Sequence, residues 1–387
     1  MCCNILTLLL IFVNIYLIIT FDYYGRNIVM EKKILNVGVI SCSGMAEGHM
    51  KGVIAHPQAQ LVAVCDIDLE KAKTVAERRG VSRVYQDYKE LLAQPDIDAV
   101  IIVTPDHLHR EMAVAALEAG KHVLCEKPLA LNREDIQAIA DATKKSDKKF
   151  MVGQICRYTP GFKAVKEIID RGEIGELVFA ETEYAHNYEK ILEACEDWKA
   201  DPTRWRSNPE RNGVVGGGCH AVDFLRWIVG ADPEEVRAYS SKKVFTDLPY
   251  DDTHIAILKF PNGVMGKVFV SVACKRNYTM RSVFYGTKGT IIVDNKNSQM
   301  TLFREDIAGT TEGALMPNKM NSEIAVKHPI AINNHNAAAE FEEFADIVLN
   351  DKPVGTTVYE GAKTVAACFA IVESAKTCQP VKPDYNF

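Results

Sequence analysis

Between Ile34 and Gly153 short apolar runs alternate with amphipathic stretches, and this alternation narrows the fold more than any other feature of the chain. A short apolar run bounded by turn residues reads as a buried strand, and strands that take turns with helical patterns build a mostly parallel sheet covered by helices. The expected strands are Ile34–Ile40, Leu61–Cys65, Ala99–Val103, His122–Cys125 and Phe150–Gly153. Leu108, Met112, Ala115 and Ala119 recur at steps of four, three and four, which sets them on one stripe of a helix. Thr104 and Pro105 mark the start of that helix and Gly120 its end.

Beyond Gly153 the pattern changes. Helical stretches around Pro160–Arg171 and Ala221–Gly230 bracket irregular sequence, and strand-like runs then follow one another from Glu235 to about Phe303. The run from His254 to Val264 reads as a hairpin, because Asn262-Gly263 supplies the positive φ angles of a two-residue turn. Two closing helices are expected at Ala337–Asn350 and Tyr359–Lys376. With 387 residues there is length for two or three domains. The reading is α/β: a doubly wound parallel-sheet domain over residues 30–153, then an α+β domain over 154–387 on a largely antiparallel open sheet. The open sheet of the second domain would offer a flat face suited to self-association.

Residues 1–29 stand apart. Ile5 to Phe21 is an uncharged, nearly continuous apolar run of 17 residues, at the lower limit for a membrane span. No Lys or Arg precedes it, as a signal peptide would require, while Arg26, Lys32 and Lys33 follow. The expectation is an extension outside the fold, from a mis-called start ahead of Met30, with a membrane tether as the alternative; either way the remainder is cytoplasmic. Eleven cysteines without Cys-x-x-Cys spacing read as free thiols of a reducing compartment and give no zinc framework. A net charge of −6 excludes a generally basic surface for nucleic acid.

The first expected strand runs into Ser41-Cys42-Ser43-Gly44-Met45-Ala46, where a dinucleotide-binding turn would read G-x-G-x-x-G or G-x-G-x-x-A. Serine replaces two glycines, at a cost of about 1–2 kcal/mol wherever a left-handed backbone is needed. Asp66, 23 residues after Ser43, stands where a carboxylate accepts from the adenosine ribose and repels a 2′-phosphate. NAD is therefore expected over NADP; otherwise Asp66 and Asp68 are turn residues or the N-cap of a Leu69–Arg79 helix. Thr104-Pro105 and Glu126-Lys127-Pro128 fall just past strands, on the carboxyl edge where open α/β sheets bind ligands. Lys127 there can hold a reacting hydroxyl and manage its proton, or pair with Glu126 as a solvated loop lysine.

With Val37-Gly38-Val39-Ile40, Thr104-Pro105-Asp106-His107-Leu108-His109, the block Ala119-Gly120-Lys121-His122-Val123-Leu124-Cys125-Glu126-Lys127-Pro128 and Gly217-Gly218-Cys219-His220, the chain resembles the Gfo/Idh/MocA family from about Lys33 to Val381. The resemblance implies a Rossmann domain and an NAD(P)-dependent oxidoreductase acting at a sugar or polyol carbinol. It makes Lys127 the catalytic lysine and His220 the general acid/base. It places Ser41, Ser43, Gly44, Met45, Ala46, Asp66, Thr104, Pro105, His109, Glu126 and Gln154 around the cofactor, with Trp205-Arg206 approaching from the second domain. Many relatives carry an aspartate four residues before the histidine, where this chain has Gly216, so their substrate class does not transfer.

Asp223, three residues after His220 on an expected helix, would share its face and orient the imidazole, or else contact Arg226. His186 and Arg157 are substrate-binding candidates, with packing roles as the alternatives. The spacing of His107 and His109 argues against joint metal ligation, and no metal is expected. Two rival activities stand beside the dehydrogenase: an NAD-dependent glycoside hydrolase working through transient oxidation, elimination and reduction, and a non-catalytic sugar or dinucleotide sensor.

Overall fold

The computed structural model describes residues 8–12, 15–21, 27–31, 33–193, 208–295, 300–304, 326–328 and 335–387. Six strands form a parallel sheet in the order β6-β5-β4-β7-β8-β9, with β4 at Leu35–Ile40, β5 at Ala59–Cys65, β6 at Arg83–Tyr85, β7 at Ala99–Ile102, β8 at His122–Glu126 and β9 at Phe150–Gly153. The numbering begins with a separate antiparallel sheet of β1 (Leu8–Phe12), β2 (Ile15–Phe21) and β3 (Asn27–Glu31). Helices α1 (Gly44–Ala55), α2 (Leu69–Arg79), α3 (Tyr88–Leu92), α4 (His109–Glu118) and α5 (Arg133–Lys145) connect the parallel strands. All five expected parallel strands are present, buried nearly throughout because both faces of such a sheet are covered.

One expectation needs correction in detail. The buried stripe of α4 is His109, Met112, Ala113, Ala116 and Leu117, displaced from the expected one because a 3₁₀ turn at Asp106–Leu108 precedes the helix and resets its phase. Of the apolar N-terminal run, Leu8–Phe12 and Ile15–Phe21 form β1 and β2, and among the described residues no helix is long and apolar enough to cross a membrane.

The rest of the chain supplies α6 (Pro160–Asp170), β10 (Leu177–Ala185), α7 (Glu189–Glu193), α8 (Cys219–Val229), β11 (Glu235–Ser241), β12 (Thr253–Lys259), β13 (Met265–Ser271), β14 (Arg281–Gly286), β15 (Gly289–Asp294), β16 (Met300–Arg304), β17 (Val326–His328), α9 (Ala337–Leu349) and α10 (Val358–Thr377). The eight strands make one sheet in the order β11-β12-β13-β10-β14-β15-β16-β17, antiparallel except where β10 runs parallel to β13. The hairpin between β12 and β13 forms, but with a wider loop than expected. Gly263 alone has positive φ there, at +83°, and Phe260 N–H donates to Val264 O while Gly263 N–H donates to Phe260 O. Pro261, whose ring fixes φ near −65°, suits the first central position of an ordinary turn and leaves the left-handed position to the glycine.

The two sheets share packing. Helix α9 lies on α1, and α10 touches α5, β9, α8 and β11, so the end of the chain closes back onto the parallel sheet. A continuous buried core joins Val152 and Ile155 to Phe162, Phe224, Phe284 and Ile371.

Candidate active site at the carboxyl edge

Three loops leave the carboxyl edge of the parallel sheet. After β4 the backbone of Ser41 turns to φ +93°, so the strained conformation foreseen for a serine is present at this position. Ser43 keeps an ordinary φ of −72° and caps α1, its hydroxyl accepting from Ala46 N–H at 3.4 Å. The bend is tied down by hydrogen bonds: Ser41 N–H donates to Cys65 O at 2.7 Å, Ser43 N–H to Ser41 Oγ at 3.2 Å, and Cys42 N–H to Asp66 Oδ2 at 2.7 Å. A Cβ placed on Gly44 meets nothing within 4 Å and Met45 is 42% exposed, so the start of α1 is open while Ala46 is buried beneath it.

Asp66 sits at the end of β5, as expected, and Asp68 caps α2. Burial alone would raise the Asp66 pKa; hydrogen bonds from Lys71 Nζ (2.8 Å) and the Cys42 and Asp68 amides outweigh it and hold the carboxyl below its usual range. Lys71 was not foreseen here, although it lies one helical turn beyond Asp68.

His109 is fully buried, with Nδ1 2.9 Å from Pro128 O and Nε2 3.1 Å from Thr104 O. Two carbonyl acceptors demand two N–H donors, hence an imidazolium. Burial opposes that charge, but Cys125, Asp106 and the Pro128 carbonyl raise the pKa to about 10. His109 thus clamps the Thr104-Pro105 loop to the Lys127-Pro128 loop and supports the edge from behind. His107 is exposed, on another side of the chain. Thr104 Oγ1 and Gln154 Oε1 are buried at this edge without a hydrogen-bond partner, so the edge keeps polar atoms for something further. Glu126 Oε1 accepts from His49 Nε2 at 2.8 Å and Oε2 from the Lys127 amide at 3.1 Å. Burial would raise the Glu126 carboxyl; the hydrogen bond and charge of His49 and the charge of Lys127 lower it instead.

The opposite wall comes from the second sheet and α8. A π-helical turn, Val214–Gly218, feeds α8, whose second residue is His220. A Cβ on Gly217 would lie 2.5 Å from the Tyr184 ring, one on Gly218 2.6 Å from Val270, and one on Gly216 2.4 Å from an Arg211 guanidinium nitrogen. The glycine run is therefore a condition for seating His220 against β10 and β13. The space beside Gly216 is filled by Arg211, whose Nε donates to Asp106 Oδ2 at 2.5 Å and ties this wall to the Thr104 loop.

His220 is 2% exposed, its Nδ1 3.7 Å from Cys156 Sγ. Burial first, then the nearby charges of Lys127 and His335, push its pKa well below 6.5. Its ring stacks on Tyr184 at 6.3 Å and meets His335 edge-on at 5.4 Å. His186 joins the same cluster, 5.1 Å from the Tyr188 ring and 5.3 Å from Tyr278. Lys127, His220, Glu126 and His186 thus belong to one region. Trp205 and Arg206 lie outside the described residues.

Two candidates are engaged elsewhere. Asp223 does not serve the imidazole: it takes Arg157 Nε and a terminal guanidinium nitrogen at 2.9 and 2.7 Å and accepts from Thr364 Oγ1 at 3.0 Å. Arg157 also reaches Glu360 at 2.9 Å and has only 9% of its side chain exposed, so it is a packing element of the crossover. Arginines, Arg157 and Arg226, occupy the surroundings of Asp223.

Sequence reading missed His49, Glu340, His335 and the tyrosines. A signal existed for two: His49 stands on the buried stripe Ala46, Met50, Val53, and Glu340 on Ala337, Phe341, Phe344, where an ionisable residue is out of place.

Residues 35–154 match the family model described as an oxidoreductase family with an NAD-binding Rossmann fold, and residues 162–292 match the GFO/IDH/MocA C-terminal domain. Myo-inositol 2-dehydrogenase of Thermotoga maritima is 30% identical over 270 residues, covering 67% of this chain and 75% of the relative. Levoglucosan dehydrogenase of Pseudarthrobacter phenanthrenivorans is 30% identical over 296 residues, covering 67% and 73%. Among solved structures, a levoglucosan dehydrogenase in complex with NADH superposes with a TM-score of 0.77 at 24% identity, over 91% of this chain and all of that one.

Proposed function

The chain belongs to the Gfo/Idh/MocA oxidoreductases, and from that premise we propose that it is an NAD-dependent dehydrogenase moving hydride between nicotinamide and a secondary hydroxyl of a sugar, polyol, inositol or glycoside. The observation that carries the reading is a buried, neutral His220 beside Lys127, walled by Tyr184, His186, Tyr278 and His335. Aromatic faces suit the C–H surfaces of a sugar ring, and the two basic groups suit its hydroxyls.

The residues fit a dinucleotide. The open start of α1 offers amide donors to a pyrophosphate, Asp66 accepts from a ribose, and Thr104 Oγ1 and Gln154 Oε1 are the unpaired polar atoms of the edge. A dinucleotide held by these residues would supply the hydride acceptor or donor. Lys127 holds the substrate hydroxyl by donating to its oxygen. His220, with its ring proton on Nδ1 toward Cys156, keeps the Nε2 lone pair to take the hydroxyl proton. His109 and the Arg211–Asp106 pair fix the loops that aim these groups.

NAD over NADP rests on Asp66, whose ionised carboxylate repels a 2′-phosphate, though Lys71 offsets part of that charge. NADH is expected to bind at least about tenfold more tightly than NADPH; equal affinities in a fluorescence titration reject this preference. For the reaction, purified protein with NAD is offered inositols, free sugars and aryl glycosides. Net NADH with an intact carbon skeleton supports the dehydrogenase. Aglycone release without net NADH replaces it with the hydrolytic cycle, and binding without turnover with the sensor.

We further propose the division of the chain into residues 1–29, 30–153 and 154–387. The eight-stranded sheet supplies a self-association face: Tyr239, Ile255, Ile257, Met265 and Tyr285 lie on one side of it in register and are 39–57% exposed. A homodimer or homotetramer is expected in light scattering. The eight described cysteines are all free, which supports a cytoplasmic setting.

A further inference from the structure

Behind Lys127, three buried ionisable groups from three elements converge: His49 of α1, Glu126 at the end of β8 and Glu340 of α9, with one ligand-type atom of each within 4.8 Å of the others. Their exposures are 0, 8 and 0%. Glu126 is fully used, by His49 and by the Lys127 amide. Glu340 is not: neither carboxyl oxygen has a hydrogen-bond partner, and His49 Nδ1 is also bare.

Two carboxylates at this separation without solvent do not both ionise; one keeps a proton. Glu126 has the donors, so the proton falls to Glu340. Burial and the charge of Glu126 raise the Glu340 carboxyl well above its ordinary value, against the opposing charge of Lys127. The elements packed on α9 add few other charges. Helix α1 brings His49, the turn Ile155–Tyr158 brings Cys156, Tyr158 and Arg157, the last paired with Asp223 and Glu360, and His335 stands just ahead of α9.

We propose that Glu340 is a positioning residue: as a neutral acid within 4.8 Å of the Glu126 carboxylate it adds no second negative charge to compete for His49, and so leaves Glu126 on His49 and on the Lys127 backbone. A second carboxylate charge at this place would draw the Lys127 ammonium toward α9 and away from His220. The role of Lys127 in this scheme rests on the dehydrogenase reading, whereas the neutral Glu340 does not.

The test compares wild type with Glu340→Gln, which keeps shape and donor without charge, and Glu340→Ala. The infrared difference spectrum of wild type minus Glu340→Gln, taken without substrate, should show a carboxylic-acid C=O band at neutral pH. Its absence overturns the proposal whatever the enzyme oxidises. If chelation also lowers the wild-type melting temperature, a divalent cation on the same three groups replaces the proton. In turnover, Glu340→Gln should stay within about twofold of wild type and lose the alkaline fall that ionisation of Glu340 imposes. Glu340→Ala should lose roughly 10- to 100-fold in kcat with NADH affinity unchanged, as expected when a reacting group is misplaced. A Gln variant as impaired as the Ala variant, or an Ala variant as active as wild type, refutes the positioning role. Should Glu340→Ala fail to fold, the infrared result with Glu340→Gln decides alone.

Discussion

The cluster around Asp223 and the cluster around Glu126 are both buried, yet they are wired in opposite ways. In the first, Arg157, Arg226 and Lys363 meet Asp223, Asp232 and Glu360, and Arg226 also donates to Thr364 Oγ1 at 2.6 Å. Three cations answer three anions, and the network staples α8 to α10. In the second, Glu340 and His49 keep bare polar atoms and His220 is held neutral beside an ammonium. Completeness marks a structural network, and unfinished hydrogen bonding marks a place that does chemistry or awaits a ligand.

The sharpest way to break that contrast is to cut each cluster once. Lys127→Ala should lower turnover by roughly 10²–10⁴-fold, the worth of a positioned acid or base, while NADH affinity and melting temperature stay near wild type. Steady-state kinetics beside calorimetry checks this, and near-normal turnover would remove Lys127 from the chemistry. Asp223→Ala should cost about 3–5 kcal/mol in urea unfolding, because Arg157 and Arg226 lose a buried counter-charge. Turnover per folded molecule should fall far less than in Lys127→Ala; the reverse pattern would exchange the two roles.

Smaller effects refine the picture. Gly217→Ala forces a methyl into the Tyr184 ring, and a loss of about 1–3 kcal/mol together with reduced kcat is expected. An unchanged melting curve would mean that the turn has room to yield. For His220, the folded protein refuses a proton that the unfolded chain accepts below about pH 6.5. Its contribution to stability is therefore whole above that pH and is lost as pH falls, by up to about 1.4 kcal/mol per unit. His220→Asn should flatten that slope without abolishing it, since His122 and His254 are also lowered, to about 4. Smallest of all, Ser41→Gly should stabilise by about 1 kcal/mol by relieving the left-handed serine.

The parallel sheet was legible because its signal is local: apolar runs, a cap such as Asp68 and a stop such as Gly120 each act within a few residues. The loops carrying Ser41, Asp66, Thr104 and Lys127 were legible for the same reason, since position after a strand defines the edge. What lay across space was not. Nothing near Asp223 in sequence announces Arg157, 66 residues away, and nothing near Gly216 announces that Arg211 fills the space beside it. The hairpin was foreseen and its loop was not, because Pro261 moved the positive φ onto Gly263 alone. Glu340 was visible as a charge on an apolar stripe, but its meaning depends on a strand more than 200 residues earlier.

The imidazolium of His109 carries one more implication. By gripping a carbonyl from each of two loops, it joins them into a single rigid rim before any guest arrives. A receptor assembled in advance forfeits little disorder on being filled, so more of the contact energy remains as affinity and arrival is not gated by a slow rearrangement.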